Sequence, residues 1–172
     1  RQKKHIFKNM EQKKLSERLL EDYGWTMRIQ HDWVMIREQP DKNTVWLGRS
    51  FPYRWISVYW VDHPPVKRLD SQVVIQAVRD YPHAVYDNIN FTPYYERVEK
   101  TVLGKWDAWR VEGMWEHSKE PKGGPFVSFL FYDDRTDRLY HINLLIHYPG
   151  GNKMLLLRQM EVMARTFTVR PR

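Results

Sequence analysis

The residues with most chemistry to offer fall on one segment. Across Arg138–Tyr148, His141, Asn143, Leu145 and His147 recur at every second position, so in an extended strand their side chains share one face. A face of that kind could hold a metal, pass a proton or recognise a partner. Six residues of strand separate His141 from His147 by about 20 Å, whereas zinc holds each ligand at about 2 Å, so one ion cannot take both. No HExxH or HxH occurs and the chain has no cysteine. Neither a metal site nor a cofactor is therefore expected, and thiolate zinc, disulfides and cysteine catalysis are excluded. The expectation for this face is a solvent-facing or groove-facing contact surface.

Nucleophilic catalysis finds no better footing. None of the six serines sits in a GxSxG elbow, and Ser57 and Ser128 fall inside strand patterns where a small hydroxyl packs. The acid pairs Glu96/Glu99 and Asp133/Asp134 occupy edges and a turn, away from the apolar pockets that separate catalytic carboxylate pKa values. No catalytic residue is assigned. Lys122-Gly123-Gly124 and Gly150-Gly151-Asn152-Lys153 lack the GxxxxGK[ST] phosphate-loop spacing and read as turns. In the first of these, Pro125 is expected to open a strand and Gly123 to carry a positive φ. Trp106 and Trp109 fall on opposite faces of their strand, which favours core packing over a shared stacking platform.

Charge is segregated along the 172 residues. The chain carries a net +7, of which residues 1–20 supply +5 and Arg170 with Arg172 supply +2, leaving residues 21–169 neutral. A nucleic-acid domain usually spreads its basic residues over a folded face; here they gather at the ends, which argues against nucleic acid and for a solvated helix face.

The elements that must position these residues follow from pattern. Residues 3–22 hold strong helix formers without Gly or Pro and stop at Gly24, so residues 1–23 are taken as a basic N-terminal helical unit and 24–172 as a single α+β domain. Short strands are expected at Trp25–Gln30, Trp33–Arg37 and Thr44–Leu47. Tyr53–Val61 is apolar on both faces, the mark of a strand covered on both sides. A helix capped by Ser71 runs from Gln72 to about Tyr81, and residues 82–93 read as loop. Strands follow at Tyr95–Val102, Trp106–Glu116, Phe126–Tyr132 and Arg138–Tyr148, then a helix over Lys153–Arg165 with Leu156, Met160, Met163 and Phe167 as its buried stripe. Phe167–Val169 ends as a short strand. Strands so closely spaced leave no room for helical crossovers, so the fold class is α+β, an antiparallel sheet with helices packed on it.

Three motifs carry a resemblance. Gly113-Met114-Trp115, Gly123-Gly124-Pro125-Phe126 and Arg158-Gln159-Met160-Glu161, in that order, resemble a family of uncharacterised secreted lipoproteins of Bacteroidetes, domain of unknown function 4837, whose pattern is Gly-Leu-Trp, Gly-Gly-Pro-Phe and Arg-Gln-x-Glu. The likeness covers mainly residues 20–169 and corresponds to that family's C-terminal half; Met114 departs from its Leu. The order of elements is also similar to the PsbP/Mog-type α/β/α sandwich, a shape used mostly by non-catalytic assembly or binding factors. These resemblances imply an extracytoplasmic, envelope location, with any membrane attachment through a lipid anchor outside this segment.

The expected function is thus a non-enzymatic protein-interaction or assembly domain of a cell-envelope lipoprotein, binding an unidentified protein partner. Its expected contact surfaces are the basic helix, through Lys3, Lys4, Lys8, Lys14 and Arg18, and the face bearing His141, Asn143 and His147. Two alternatives stand beside it. One is a binder of anionic polymer, nucleic acid or polysaccharide, through the basic helix; the other is an uncharacterised hydrolase using an acid or histidine from Trp115–Phe126.

Overall fold

A computed structural model describes residue 7 and residues 10–170. Helix α1 (Lys13–Tyr23) leads into β1 (Trp25–Thr26) and β2 (Val34–Gln39), a single 3-10 turn over Pro40–Lys42, then β3 (Thr44–Arg49) and β4 (Tyr53–Asp62). Helix α2 (Ser71–Val85) precedes β5 (Ile89–Phe91), β6 (Arg97–Leu103), β7 (Trp106–His117), β8 (Gly123–Asp133) and β9 (Arg138–His147). Helix α3 (Lys153–Ala164) and β10 (Thr168–Val169) complete the order.

Eight strands form one antiparallel sheet in the order β2-β3-β4-β9-β8-β7-β5, with β6 pairing β7 ahead of β5. β1 and β10 form a separate two-stranded ribbon. Alternation splits the apolar side chains of β4 as its pattern requires: Ile56, Val58 and Trp60 enter one core, while Trp55 and Tyr59 pack on the other. The first core lies under α1, α3 and the ribbon, with Leu19, Met160, Met163 and Phe167 buried. The second lies under α2, through Val74, Val78, Tyr81 and Val85. An α/β/α sandwich results, because each sheet face presents a hydrophobic surface that only a helix layer covers.

Several expected boundaries move, each for a local reason. The first helix starts at Lys13 because Glu11 bridges Gln30, the Gln12 N–H bonds the Ile29 carbonyl, and the Gln12 amide donates to the carbonyls of His31 and Trp33. Strand-like pairing therefore claims the backbone that a longer helix would need. Phe7 lies in a turn under the Arg28 guanidinium, 4.0 Å away; the rest of the expected helix before Met10 lies outside the described residues. Its end at Gly24, φ +78°, is as expected. Of Trp25–Gln30 only the first two residues pair as a strand. Asp70, not Ser71, caps α2, its Oδ1 accepting from the Val73 N–H at 2.9 Å. That helix continues through Pro82 to Val85, where Tyr81, Pro82 and Val85 are all buried, so residues 82–85 and 89–91 are ordered elements and not loop. Packing there outweighs the hydrogen bond that Pro82 lacks.

The glycine-rich segment corrects a further expectation. Positive φ among the described glycines belongs to Gly24, Gly104 and Gly150, and Gly123 opens β8 without it. What Gly123 and Gly124 supply is proximity. A β-carbon on Gly123 would stand 2.7 Å from the Trp115 carbonyl oxygen, and one on Gly124 would stand 2.1 Å from that of Ile146.

Candidate functional site

The face that carries His141 and Asn143 is covered. Both residues and Leu145 are buried beneath α2, so the expected solvent-facing surface is instead the floor of the second core. Register explains what they do there. Ser57 of β4, Asn143 of β9 and Ser128 of β8 stand in one cross-strand row, placing three polar side chains side by side under a helix that contributes Tyr81, with Tyr86 just beyond its end. The donors run one way. Tyr86 OH donates to Asn143 Oδ1 at 2.8 Å, so its oxygen accepts from Ser57 at 2.6 Å, and Ser57 accepts in turn from Tyr81 OH at 2.8 Å. Asn143 Nδ2 donates to Ser128 Oγ at 2.9 Å, and His141 Nε2 lies 2.9 Å from the same oxygen.

Electrostatics fit that order. Burial drives His141 down to about 3, so its ring is neutral at physiological pH, and the same burial pushes the Tyr81 and Tyr86 phenols up. Ser128 and His141 thus form a serine–histidine pair, but the serine hydroxyl is enclosed under α2 with no exposed surface, and a substrate carbonyl could not reach it. The chain of hydrogen bonds satisfies polar groups in an apolar core. Position alone could have pointed to it: Ser57, Ser128 and Asn143 interrupt strands whose neighbours are apolar on both faces.

The other expected site residues disperse. His147 lies at the end of the sheet, its Nδ1 2.9 Å from the Gly123 carbonyl oxygen. Lys3, Lys4 and Lys8 lie outside the described residues. Lys14 is exposed on α1, and Arg18 is engaged by Glu38 at 2.9 Å and Asp22 at 3.5 Å. In Trp115–Phe126, His117 Nδ1 accepts from the Lys119 and Glu120 N–H groups and Glu120 pairs with Lys122; no acid–histidine pair forms there among the described residues. Among the described residues no three His, Asp or Glu side chains converge as metal ligands.

The three sequence motifs interlock. Gly113 faces Phe126 across β7 and β8 and leaves room for its ring. Trp115 faces Gly124, and its indole N–H donates to the Ile146 carbonyl at 3.0 Å, the same carbonyl that the missing Gly124 side chain admits. Glu161 of α3 accepts from Arg110 of β7 at 2.5 Å, and Arg110 also pairs with Glu112. Burial opposes the Arg110 charge, but these carboxylates hold its pKa up. Arg158 is exposed one turn away and borders a cleft of about 510 Å³ with Arg97 and Glu161.

A larger concave surface than that cleft lies elsewhere. A groove of about 820 Å³ runs between the Lys67–Leu69 segment ahead of α2 and the β6–β7 hairpin, with Trp109 and Tyr132 in its lining. Lys67, Arg68, Lys100 and Lys105 border it, against Asp107 and Asp134. Lys67 pairs with Asp137 at 3.0 Å, and Asp137, which also accepts from Tyr132 at 2.6 Å, is held below the usual carboxylate range by these bonds and by His63. Lys100 lies 5.7 Å from the Trp109 ring and Lys105 lies 5.1 Å from that of Trp106. Neither lysine, nor Arg68, has a carboxylate within 4.0 Å among the described residues, although the Lys105 charge helps hold Asp133 below the usual carboxylate range. Trp106 and Trp109 do lie on opposite faces, yet both border this groove. Its cations come from positions 67 and 68 and from 100 and 105, which no local motif joins, so the sequence carries no signal for it.

Comparisons with known proteins agree with this architecture. Residues 11–166 match the family described as Domain of unknown function (DUF4837). No curated protein matches by sequence. Among solved structures, the Ran-binding protein Mog1p of Saccharomyces cerevisiae superposes with a TM-score of 0.56 at 11% identity, over 85% of this chain and 90% of that one. LpqN, involved in cell envelope biogenesis of Mycobacterium tuberculosis, gives 0.50 at 14%, over 87% of each chain. A protein of Bacteroides thetaiotaomicron gives 0.53 at 11%, over 86% of this chain and 46% of its own length. The fold is Mog-like.

Proposed function

The chain belongs to the DUF4837 family, and on that premise we propose that it is a non-catalytic protein-binding or assembly domain of a cell-envelope lipoprotein. Its docking surface is the groove between the Lys67–Leu69 segment and the β6–β7 hairpin. The observation that carries the reading is charge: Arg68, Lys100 and Lys105 border an aromatic-lined groove, and none of the three is in a close ion pair among the described residues. Cations outside close ion pairs, set beside aromatic faces, suit an acidic, extended segment of a partner, because carboxylates meet the cations while apolar stems lie on Trp109 and Tyr132. The polar chain around His141 holds α2, and with it the Lys67–Leu69 wall, against the sheet. The envelope location rests on the resemblance to secreted lipoproteins and on the LpqN neighbour; Mog1p and LpqN speak otherwise to fold alone.

Titration of the isotopically labelled chain with a glutamate-rich dodecapeptide tests the assignment by NMR. The expected shifts fall on the Trp109 indole N–H and on the backbone of residues 67–69 and 100–105. Shifts confined to α1, or to the Arg97–Arg158 cleft, would overturn it.

A further inference from the structure

At the opposite end of β4 from the groove's Lys67 segment, one cation is buried without a counter-ion among the described residues. Arg54 is 4% exposed. Its side chain shares a sheet face with Arg49 of β3 on one side and Ile146 of β9 on the other. Among the described residues its one hydrogen bond is weak, Nε to the Pro52 carbonyl at 3.4 Å. A guanidinium carries five N–H donors in a rigid fork, and among the described residues neither Nη atom of Arg54 has an acceptor. The local charges do not balance either. Asp32 is the nearby carboxylate, and it is already engaged by Arg49.

Buried cations are ordinarily paired, because stripping water from an unpaired ion costs several kcal/mol. Burial, with Arg49 beside it, drives Arg54 down to about 10, which still leaves it charged at neutral pH. The fork is not sealed off. Among the described residues the enclosed side-chain nitrogens without a partner are the indole nitrogens of Trp25 and Trp46, and those of Arg54 are not among them. Immediately before it, the turn at Phe51 and Pro52 stands in solvent, with Phe51 88% exposed. A charged, donor-rich fork whose nitrogens reach the edge of an exposed turn suits planar or tetrahedral oxyanions.

We propose that Arg54, supported by Arg49, forms an oxyanion-binding site at the mouth of the β3–β4 turn, which takes a carboxylate or a phosphate group through the Arg54 fork. Such a ligand supplies the missing negative charge and the missing acceptors together. The site lies apart from the acidic-segment groove and neither depends on the other.

Thermal unfolding of the purified chain, with sodium phosphate or sodium acetate replacing sodium chloride at constant ionic strength, tests it. Phosphate is expected to raise Tm saturably, by a few degrees, and Arg54→Met to need at least tenfold more phosphate for the same rise. Without phosphate, Arg54→Met should melt at or above the wild-type temperature, because it removes an uncompensated charge. A matching rise with acetate assigns a carboxylate-capable site; a rise with phosphate alone assigns a phosphate site. Should Arg54→Met fail to fold, broadening of the phosphate 31P resonance by the wild type, reduced at least threefold by Arg54→Lys, gives the same answer. No rise with either anion, or an equal rise in wild type and Arg54→Met, would overturn the proposal.

Discussion

The ring of Phe126 occupies the space that a side chain on Gly113 would need: a β-carbon there would stand 2.6 Å from Cε1 of Phe126. The two residues face each other across β7 and β8, and Phe91 stacks on the same ring at 4.0 Å between centroids. Gly113→Ala should therefore cost about 1–3 kcal/mol of unfolding free energy by overpacking, and Phe126→Leu in the same chain should recover part of it. Urea unfolding of the two single variants and the double variant checks this; purely additive losses would show that the two sites do not meet.

Gly124 meets backbone where Gly113 meets a ring. The Ile146 carbonyl cannot rotate away without leaving its bond to the Trp115 indole. Gly124→Ala is expected to be the more damaging alanine substitution of the two, again by urea unfolding.

The buried histidine predicts a pH dependence with a definite sign. His141 takes a proton at about pH 6.5 when unfolded and at about 3 when folded. Between those values the unfolded chain binds the extra proton, so this contribution is fully present above pH 6.5 and is lost as pH falls toward 3. The whole effect is on the order of 3–5 kcal/mol. Unfolding free energies at pH 7 and pH 4, in wild type and His141→Gln, should show a shallower loss in the variant; an equal loss in both would place the histidine in water.

Removing one link of the polar chain should hurt more than its size suggests. Tyr86→Phe deletes a single oxygen but strands Asn143 Oδ1 and the Ser57 hydroxyl beneath α2. The expected loss is about 1–3 kcal/mol, read from chemical denaturation.

Much of the fold was legible because its signals are local. β4 declared itself as a central strand by apolar residues at both parities, and the stop of α1 by Gly24. The length of α2 was hidden because Pro82 signals a break in any local reading, while the burial of Tyr81 and Val85 that overrides it is tertiary. His141 and Asn143 were correctly placed on one face. Their cover, however, is a helix some 60 residues earlier in the chain, so sequence showed the parity and not the burial. The acidic-segment groove was invisible for the same reason as the cover on His141: Lys67 and Lys100 meet only through the sheet.

The central claim is that the groove, and not the basic N-terminal stretch, binds an acidic segment. The affinity of a glutamate-rich peptide, measured by fluorescence anisotropy, should fall at least tenfold on Lys100→Glu with Lys105→Glu. It should change less than twofold on Lys13→Glu with Lys14→Glu, two exposed positions of α1. The reverse pattern, tight binding that survives reversal of the groove lysines and fails with those of α1, would contradict the account.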